Sequence, residues 1–406
     1  MVDYSDIKKR LKLDVDKKFT SEHAYITHYL QNTKNGVSKA YKEKALVYIS
    51  SRLEDAVAKK FEINSTNWNV PFPPPQKPLF KFIDLFAGIG GFRIALQNQG
   101  GKCVFSSEIN NAAKQTYESN FGEFPFGDIR DFSGPDITDE ELDHLIPDHT
   151  ILTGGFPCQP FSLAGVSARN FLGQVHGFSD EDKGNLFFDI ARIVSVKRPD
   201  VVFLENVKNF KGHDNGNTFL TVKKTMEDLE YHFFSDIINA ETWVPQQRRR
   251  FYIVCFKKKR KNEKAPDFSF PKPEGEPKKL SDILENDVPF KYTISDRLWI
   301  GHINRTKRNL ERGTGFTANL ADLEKPSKTL VARYGKDGKE CLIPQGDINP
   351  RKLTPRECAR LQGFPESFIL PPSDAPSYHQ FGNSVAVPVI EAIAKNIVKK
   401  IFKKKK

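Results

Sequence analysis

Hydrophobic segments from residue 79 onward follow a regular alternation of strand and helix patterns. Short apolar runs predict six β-strands, at residues 80–86, 102–107, 150–153, 201–205, 232–236 and 251–256. Between them the spacing of apolar positions predicts helices, such as those over residues 185–196 and 217–229. This alternation is typical of a mainly parallel, doubly wound α/β sheet, in which ligands bind at the carboxyl ends of the strands.

The N-terminal part has a different pattern. Residues 1–70 predict a small helical extension, with one helix beginning at Ser21 and a second helical pattern running from Ala45 to Phe61. Residues 71–78 are rich in proline and predict a stiff linker. The extension therefore has two open interpretations, a module that binds DNA or a partner and an element that packs on the main domain.

The C-terminal half changes character twice. Residues 79–256 form the first part of the predicted α/β domain. Residues 257–349 are rich in Lys, Pro, Gly and polar groups, with strand-like pieces only at 327–334 and 341–343, and they predict a smaller second domain. Residues 350–406 predict a return to the large domain, because helical patterns reappear at 354–362 and 388–402.

Composition narrows the class of protein. The 406 residues are 38% hydrophobic and include 33 phenylalanines, which is typical of a folded chain. The absence of a long apolar run and of a signal-peptide pattern predicts a cytoplasmic protein that does not enter a membrane. The five cysteines are scattered without CxxC spacing, which argues against a disulfide framework or a metal site. The net charge of +11 suits a polyanionic partner or, equally, a lysine-rich solvated surface.

One cysteine stands apart from the others. Cys158 lies between Pro157 and Pro160, directly after the apolar run at residues 150–153. Proline fixes φ and donates no backbone hydrogen bond, so the predicted strand must end in a loop there. A thiol on such a loop can reach a substrate, although a small residue in a turn would fit the same pattern.

A glycine-rich turn indicates a nucleoside site. The segment FIDLFAGIGGF, at residues 82–92, predicts a strand that enters a helix through Gly88, Gly90 and Gly91, where a ligand can approach the backbone closely. Glu108 follows the next strand and is suited to accept both hydroxyls of a ribose, and Asp128 is suited to accept from an adenine amino group. The three features together suit an adenosine without phosphates, such as S-adenosylmethionine.

Nine ordered motifs give the chain a family resemblance. They are FIDLFAGIGGFR (82–93), SSE (106–108), GDI (127–129), GGFPCQPFS (154–162), GNLFFDIARIV (184–194), FLENVKN (203–209), PQQRRRFYIV (245–254), RKLTPRECARLQGFP (351–365) and QFGNSVAVPV (380–389). With these motifs the chain resembles a bacterial DNA (cytosine-5) methyltransferase over roughly residues 78–400. The sequence that flanks these motifs most resembles that of enzymes that methylate short DNA sites of the CCWGG, CCNGG and CCGG kind.

The resemblance implies a fold and a mechanism. The fold would be a Rossmann-like S-adenosylmethionine-dependent methyltransferase with a small variable target-recognition domain, here at residues 257–349. The thiolate of Cys158 would attack carbon 6 of cytosine and make carbon 5 nucleophilic. Glu205 would protonate ring nitrogen 3, which requires a raised carboxyl pKa. Arg250 and Arg248 would orient the base and stabilise charge near the ring oxygen.

The resemblance also assigns binding residues. Cofactor contacts would come from Phe86, Ala87, Gly88, Gly90, Gly91, Glu108, Ile109, Asp128, Ile129, Pro157, Leu186, Asn383, Ser384 and Val385. DNA contacts would come from Gln159, Ser162, Gln246, Thr329 and Leu330. The target base must leave the duplex, and the glycine-punctuated loop at residues 159–184 is suited to close over the DNA. The expected partner is double-stranded DNA bound by a monomer, without a metal. The enzyme would either belong to a restriction–modification system, with a cognate restriction endonuclease encoded nearby, or act as an orphan methyltransferase.

Two other functions remain open at this stage. An RNA cytosine-5 methyltransferase of the usual class would carry a Thr-Cys nucleophile motif with a second catalytic cysteine, and no Thr-Cys dipeptide occurs here. A DNA-binding regulator could act through residues 1–70. An inactive relative of this kind would be expected to lack Cys158 or Glu205, and both are present.

Overall fold

The computed structural model describes residues 2–11, 13, 21–32, 39–52, 66–157, 186–260, 262–313, 317–318 and 320–402. The chain divides into two compact units. The first unit comprises Met1–Ile237, Arg250–Ser269 and Ile397–Lys406, and the second comprises Ile238–Arg249 and Phe270–Asn396. These units divide the chain at other residues than the predicted domains, whose boundaries stay predictions.

The strands and helices match most of the sequence pattern. In chain order the strands are β1 (Val2–Asp3), β2 (Thr66–Asn67), β3 (Phe80–Leu85), β4 (Gly101–Ser107), β5 (Ile151–Gly155), β6 (Val201–Val207), β7 (Tyr231–Asn239), β8 (Arg249–Lys257), β9 (Ile343–Gln345) and β10 (Ile348–Arg351). The helices are α1 (Tyr4–Arg10), α2 (Ser21–Asn32), α3 (Lys39–Arg52), α4 (Gly91–Asn98), α5 (Asn111–Phe121), α6 (Arg130–Ser133), α7 (Asp139–Leu145), α8 (Leu186–Lys197), α9 (Asn217–Asp228), α10 (Asp296–Glu311), α11 (Tyr334–Asp337), α12 (Pro355–Leu361), α13 (Asp374–Asn383) and α14 (Val387–Phe402).

A six-stranded sheet organises the first unit. Its order is β4-β3-β5-β6-β8-β7, with β4, β3, β5 and β6 parallel and β8 antiparallel to β6. The central strands are almost wholly apolar and buried because helices cover both faces of a parallel sheet. The predicted doubly wound α/β class and all six predicted strands are confirmed. The parallel strands bring the ends of β3, β4, β5 and β6 to one edge of the sheet.

The N-terminal helices belong to the first unit. Helix α2 begins at Ser21, as predicted, and ten of its twelve residues are buried. Ala24, Tyr25 and Tyr41 join the large core of the sheet, and a smaller core forms around Ile26 and Leu30. The second predicted helix is present as α3, and the part of that pattern between residues 53 and 61 lies outside the described residues.

The second unit is built from short elements. Helix α12 begins with a capping box, in which Thr354 accepts from the Glu357 N–H and the Glu357 carboxylate accepts from the Thr354 N–H; Pro355 occupies the first helical position. Glu357 also forms a two-pronged pair with Arg351 at 2.8 Å, and both side chains are buried. These contacts anchor the end of β10 to α12.

The strand predicted at residues 327–334 is wrong. That segment contributes only an isolated bridge between Ser327 and Gln246 before α11 begins at Tyr334. The Leu330 N–H donates to the side-chain oxygen of Gln246 at 2.8 Å, so it is not available to a neighbouring strand.

The described residues contain no helix with the length and apolar character needed to cross a membrane.

Candidate active site

The glycine turn follows β3 and forms one wall of the site. Phe86, Gly88 and Gly90 all have positive φ, at 54°, 54° and 86°. A Cβ at Gly90 would lie 2.2 Å from the ring of Phe121, so this position requires glycine. A Cβ at Gly88 would meet nothing within 4 Å. The turn is therefore closed on its Gly90 side and open at Gly88, where a ligand can reach the backbone.

Glu108 is tied to this turn. Its carboxylate accepts from the Gly88 N–H at 2.8 Å and from the Asn110 N–H at 2.7 Å. Burial raises the pKa of Glu108, and the two backbone donors oppose that effect. The adjacent Ile109 is 70% exposed, an unusual position for a large apolar side chain. A fixed carboxylate beside an exposed apolar side chain fits a ribose with an attached aromatic ring.

Asp128 lies near the same edge. A parallel bridge between Ser107 and Phe126 brings residues 126–129 alongside the end of β4. Asp128 forms an ion pair with Arg130, whose hydrogen bonds lower the pKa of the Asp128 carboxyl. Ile129 is buried in the core. The predicted adenosine contacts Gly88, Glu108 and Asp128 thus all come from one edge of the sheet.

A side chain on β6 holds the segment that connects β5 to the candidate nucleophile. Strand β5 ends at Gly155, and the Asn206 side-chain amide donates to the Phe156 carbonyl at 3.0 Å. Pro157 is exposed. Cys158, Gln159 and Ser162, together with the loop at residues 159–184, lie outside the described residues. Asn206 therefore fixes the chain two residues before Cys158.

Glu205 and Arg250 face each other across β6 and β8. The Arg250 Nε atom lies 3.0 Å from Glu205 Oε1, and the two side chains are 16% and 12% exposed. Gly155 pairs with Glu205 in the sheet, and a Cβ at Gly155 would lie 3.6 Å from Glu205 Oε2. A charge-assisted pair of this burial holds the carboxylate in one orientation beside the strand that leads to Cys158.

The other four cysteines are unsuited to nucleophilic attack. Cys103, Cys255, Cys341 and Cys358 are all buried. Burial raises the pKa of each thiol, that of Cys341 to about 12. A thiol with a raised pKa and no access to substrate is inert, because the thiolate is the reactive form. Of the five cysteines in the sequence, this leaves Cys158.

Several predicted site residues gather inside the second unit. Arg248 is 2% exposed, and its guanidinium donates to the carbonyls of Leu330, Gly382 and Ser384. The Thr329 hydroxyl donates to the Gln247 carbonyl at 2.6 Å, and Gln246 accepts from the Leu330 N–H. Arg248 therefore connects Leu330 with the turn that contains Asn383, Ser384 and Val385, and Gln246 holds Leu330 from a second side chain.

Sequence reasoning missed the polar cluster behind the glycine turn. Arg93, fully buried, donates to Glu123 and to Gln31, each at 2.8 Å. Burial raises the pKa of Asp84, on β3, to about 8. The sequence did contain a signal for this cluster, because an arginine at the end of a glycine-rich apolar motif must find acceptors if it is buried.

Across the described ranges, no group of three or more His, Cys, Asp or Glu side chains is arranged to hold a metal ion.

Known proteins resemble this chain over most of its length. The family described as C-5 cytosine-specific DNA methylase matches residues 80–399. Type II methyltransferase M.DsaV of Dactylococcopsis salina is 48% identical over 325 residues, which cover 80% of this chain and 87% of that protein. Type II methyltransferase M.HpaII of Haemophilus parainfluenzae is 43% identical over 351 residues, which cover 81% of this chain and 92% of that protein.

A solved structure agrees on the fold. That of S. pombe Dnmt2 methyltransferase matches with a TM-score of 0.60 at 20% identity, and the match covers 80% of this chain and 99% of that one. The predicted family resemblance and fold class are thereby confirmed. The chain belongs to the C-5 cytosine-specific DNA methylase family.

Proposed function

We propose that this DNA cytosine-5 methyltransferase uses Cys158 as a covalent nucleophile, Glu205 and Arg250 to activate the base, and S-adenosylmethionine as methyl donor. The Glu205–Arg250 pair carries the proposal, because it lies at the end of β6 beside Gly155, three residues before Cys158. The burial of the other four thiols supports the choice of nucleophile.

The residues at the turn after β3 support the cofactor. Gly88 leaves space at the backbone, Glu108 offers fixed carboxylate oxygens, and Ile109 exposes an apolar side chain. Phe86, Ala87, Gly90, Gly91, Asp128, Ile129, Pro157 and Leu186 complete the proposed set in the first unit. When bound, S-adenosylmethionine supplies an electrophilic methyl group on a sulfonium.

The chain's own residues would then act on the cytosine in turn. The Cys158 thiolate would form a bond to carbon 6 while Glu205, once it has taken up a proton from water, gives that proton to nitrogen 3, so that carbon 5 becomes an enamine carbon. Arg250 holds the Glu205 carboxyl and places positive charge beside the ring. After carbon 5 has gained the methyl group, a water molecule would take the proton from carbon 5, nitrogen 3 would return its proton to Glu205, and the bond between Cys158 and carbon 6 would break to release the thiolate.

For Arg248 we propose positioning in place of direct catalysis. Its guanidinium contacts backbone carbonyls of its own unit, including those of Leu330 and Ser384. Through these contacts it would hold the segment with Thr329 and Leu330, proposed to meet DNA, and the turn Asn383–Ser384–Val385, proposed to meet the cofactor. Gln246 would act in the same way through the Leu330 N–H.

A trapping experiment tests the nucleophile. DNA that carries 5-fluorocytosine blocks the final proton loss, so purified enzyme with S-adenosylmethionine should form a denaturant-resistant complex. The Cys158→Ala variant should form none, whereas Cys341→Ala, which removes a buried thiol, should retain it. If Cys158→Ala formed as much denaturant-resistant complex as the wild type, Cys158 would be excluded as the nucleophile. Tritium transfer to plasmid DNA, with transfer RNA as the comparison, tests the substrate; label on transfer RNA alone would overturn it.

We further propose that the enzyme is the modification half of a restriction–modification system, since its relatives M.DsaV and M.HpaII are named type II methyltransferases. Bisulfite sequencing of DNA from an expressing host gives the recognition site. The sequence resemblance predicts one of the CCWGG, CCNGG or CCGG kind. Methylation scattered over unrelated cytosines would contradict this proposal.

A further inference from the structure

Helix α2 has no face free for DNA. Ten of its twelve residues are buried, and the other two, Ser21 and Glu22, are at its first turn. A helix that reads a groove must expose several side chains along its length. The buried residues of α2 instead contact β4 and the segment around α5. The role of α2 therefore depends on its contacts with the elements that surround the glycine turn.

The first connection runs through Gln31. Its side-chain oxygen accepts from Arg93 Nη2 at 2.8 Å, and its amide donates to the Phe121 carbonyl at 2.5 Å. Arg93 lies in the first turn of α4, two residues after Gly91, and forms an ion pair with Glu123. A buried guanidinium needs several acceptors, and the N-terminal extension supplies one of them.

The second connection runs through α5. Glu118 accepts from the Tyr4 hydroxyl and from His23, each at 2.8 Å, and pairs with Lys8 at 3.2 Å. On the same helix, the Phe121 ring closes the space at Gly90. Helix α5 thus has the extension on one side and the glycine turn on the other.

We propose that the N-terminal extension is a positioning element of the S-adenosylmethionine site. Tyr4, His23 and Gln31 fix α5 and Arg93, and these in turn fix the glycine turn. The family match begins at residue 80, so Tyr4, His23 and Gln31 lie outside the matched residues. The inference rests on the proposed use of the turn as the cofactor site.

The test uses the full chain with Gln31→Met, which keeps the side-chain length and removes both hydrogen bonds. The control is Glu43→Gln, an exposed position of α3. Calorimetric titration with S-adenosylhomocysteine, well below the unfolding temperature, should show the Kd of Gln31→Met raised about tenfold, because a buried charged donor has lost an acceptor. The KM for S-adenosylmethionine should rise in parallel, with kcat and the KM for DNA nearly unchanged. Glu43→Gln should match the wild type.

Each outcome decides a separate point. A lower Tm with an unchanged Kd means that the extension only stabilises the fold, and the inference is then overturned. A wild-type enzyme that does not bind S-adenosylhomocysteine overturns the proposed cofactor instead. If Gln31→Met does not fold, Tyr4→Phe decides the matter, because it removes only the hydroxyl that donates to Glu118. A Kd about threefold higher supports the proposal, and an unchanged one refutes it.

Discussion

Two glycines of one turn should respond differently to the same substitution. Gly90→Ala places a methyl group 2.2 Å from the buried ring of Phe121, at a φ of 86°. Gly88→Ala places it where nothing lies within 4 Å, at a φ of 54°. The first change should destabilise the protein, and the second should leave it folded but weaken cofactor binding.

The magnitudes follow from the geometry. An L-residue in the left-handed region costs about 1–2 kcal/mol, and this term applies to both variants. Overpacking a filled site adds about 1–3 kcal/mol, and this term applies only to Gly90→Ala. Gly90→Ala should therefore lose about 2–5 kcal/mol, a large share of a typical free energy of unfolding. Gly88→Ala should lose no more than about 2 kcal/mol.

Thermal unfolding and calorimetric titration with S-adenosylhomocysteine separate the two effects. We expect a large fall in Tm for Gly90→Ala. For Gly88→Ala we expect a small fall in Tm and a Kd at least about tenfold higher, since the new methyl group occupies the approach to the backbone. If Gly88→Ala binds the ligand like the wild type, the open side of the turn is not the cofactor surface. Equal destabilisation by both variants would contradict the packing argument.

Three further predictions concern other parts of the first unit. Glu205→Gln keeps the shape of the side chain but loses the charge that pairs with Arg250, and single-turnover methylation should slow by about 10²–10⁴-fold with Tm little changed; a rate near that of the wild type would exclude Glu205 as the acid. Asn206→Leu removes the donor to the Phe156 carbonyl and should cost about 1–3 kcal/mol and lower kcat, as measured by urea unfolding and steady-state kinetics. Burial acts to raise the pKa of Glu118, but the hydrogen bonds from His23 and Tyr4 and the charges of His23 and Lys8 together lower it to about 2. The stability that Glu118 contributes is therefore present above its ordinary pKa of 4.5 and is lost as the pH falls toward 2. Glu118→Gln should flatten this part of the acid-unfolding curve, and an unaltered curve would show that the pair contributes nothing.

The strands of the sheet could be predicted because burial on both faces leaves a continuous apolar run. The strand predicted at residues 201–205, which is apolar up to Leu204, is an example, and β6 extends it by Asn206 and Val207. The predicted strand at residues 327–334 failed for the opposite reason. There an apolar, β-branched sequence is held by side-chain contacts such as that of Gln246 to the Leu330 N–H, which no local pattern reveals.

The candidate site was predictable where residue type implies chemistry. Glu108 directly follows β4, and Glu205 lies in the last part of β6, as their positions after apolar runs predict. Partners distant in the sequence were not predictable. Arg93 and Gln31 are 62 residues apart, and no spacing rule connects an arginine in a glycine motif with a glutamine in a preceding helix.

The packing of α2 on β4 also bears on the exposure of one edge of the sheet. Strand β4 is at the end of the sheet order, where an exposed row of backbone donors would invite a strand from another molecule. His28 blocks this at one point, because its Nδ1 donates to the Ala24 carbonyl and its Nε2 accepts from the Ser106 N–H at 3.1 Å. Burial lowers the pKa of His28 and so keeps this acceptor unprotonated. A helix thus occupies one backbone donor of an edge strand, a position where a strand from another molecule could otherwise begin to pair.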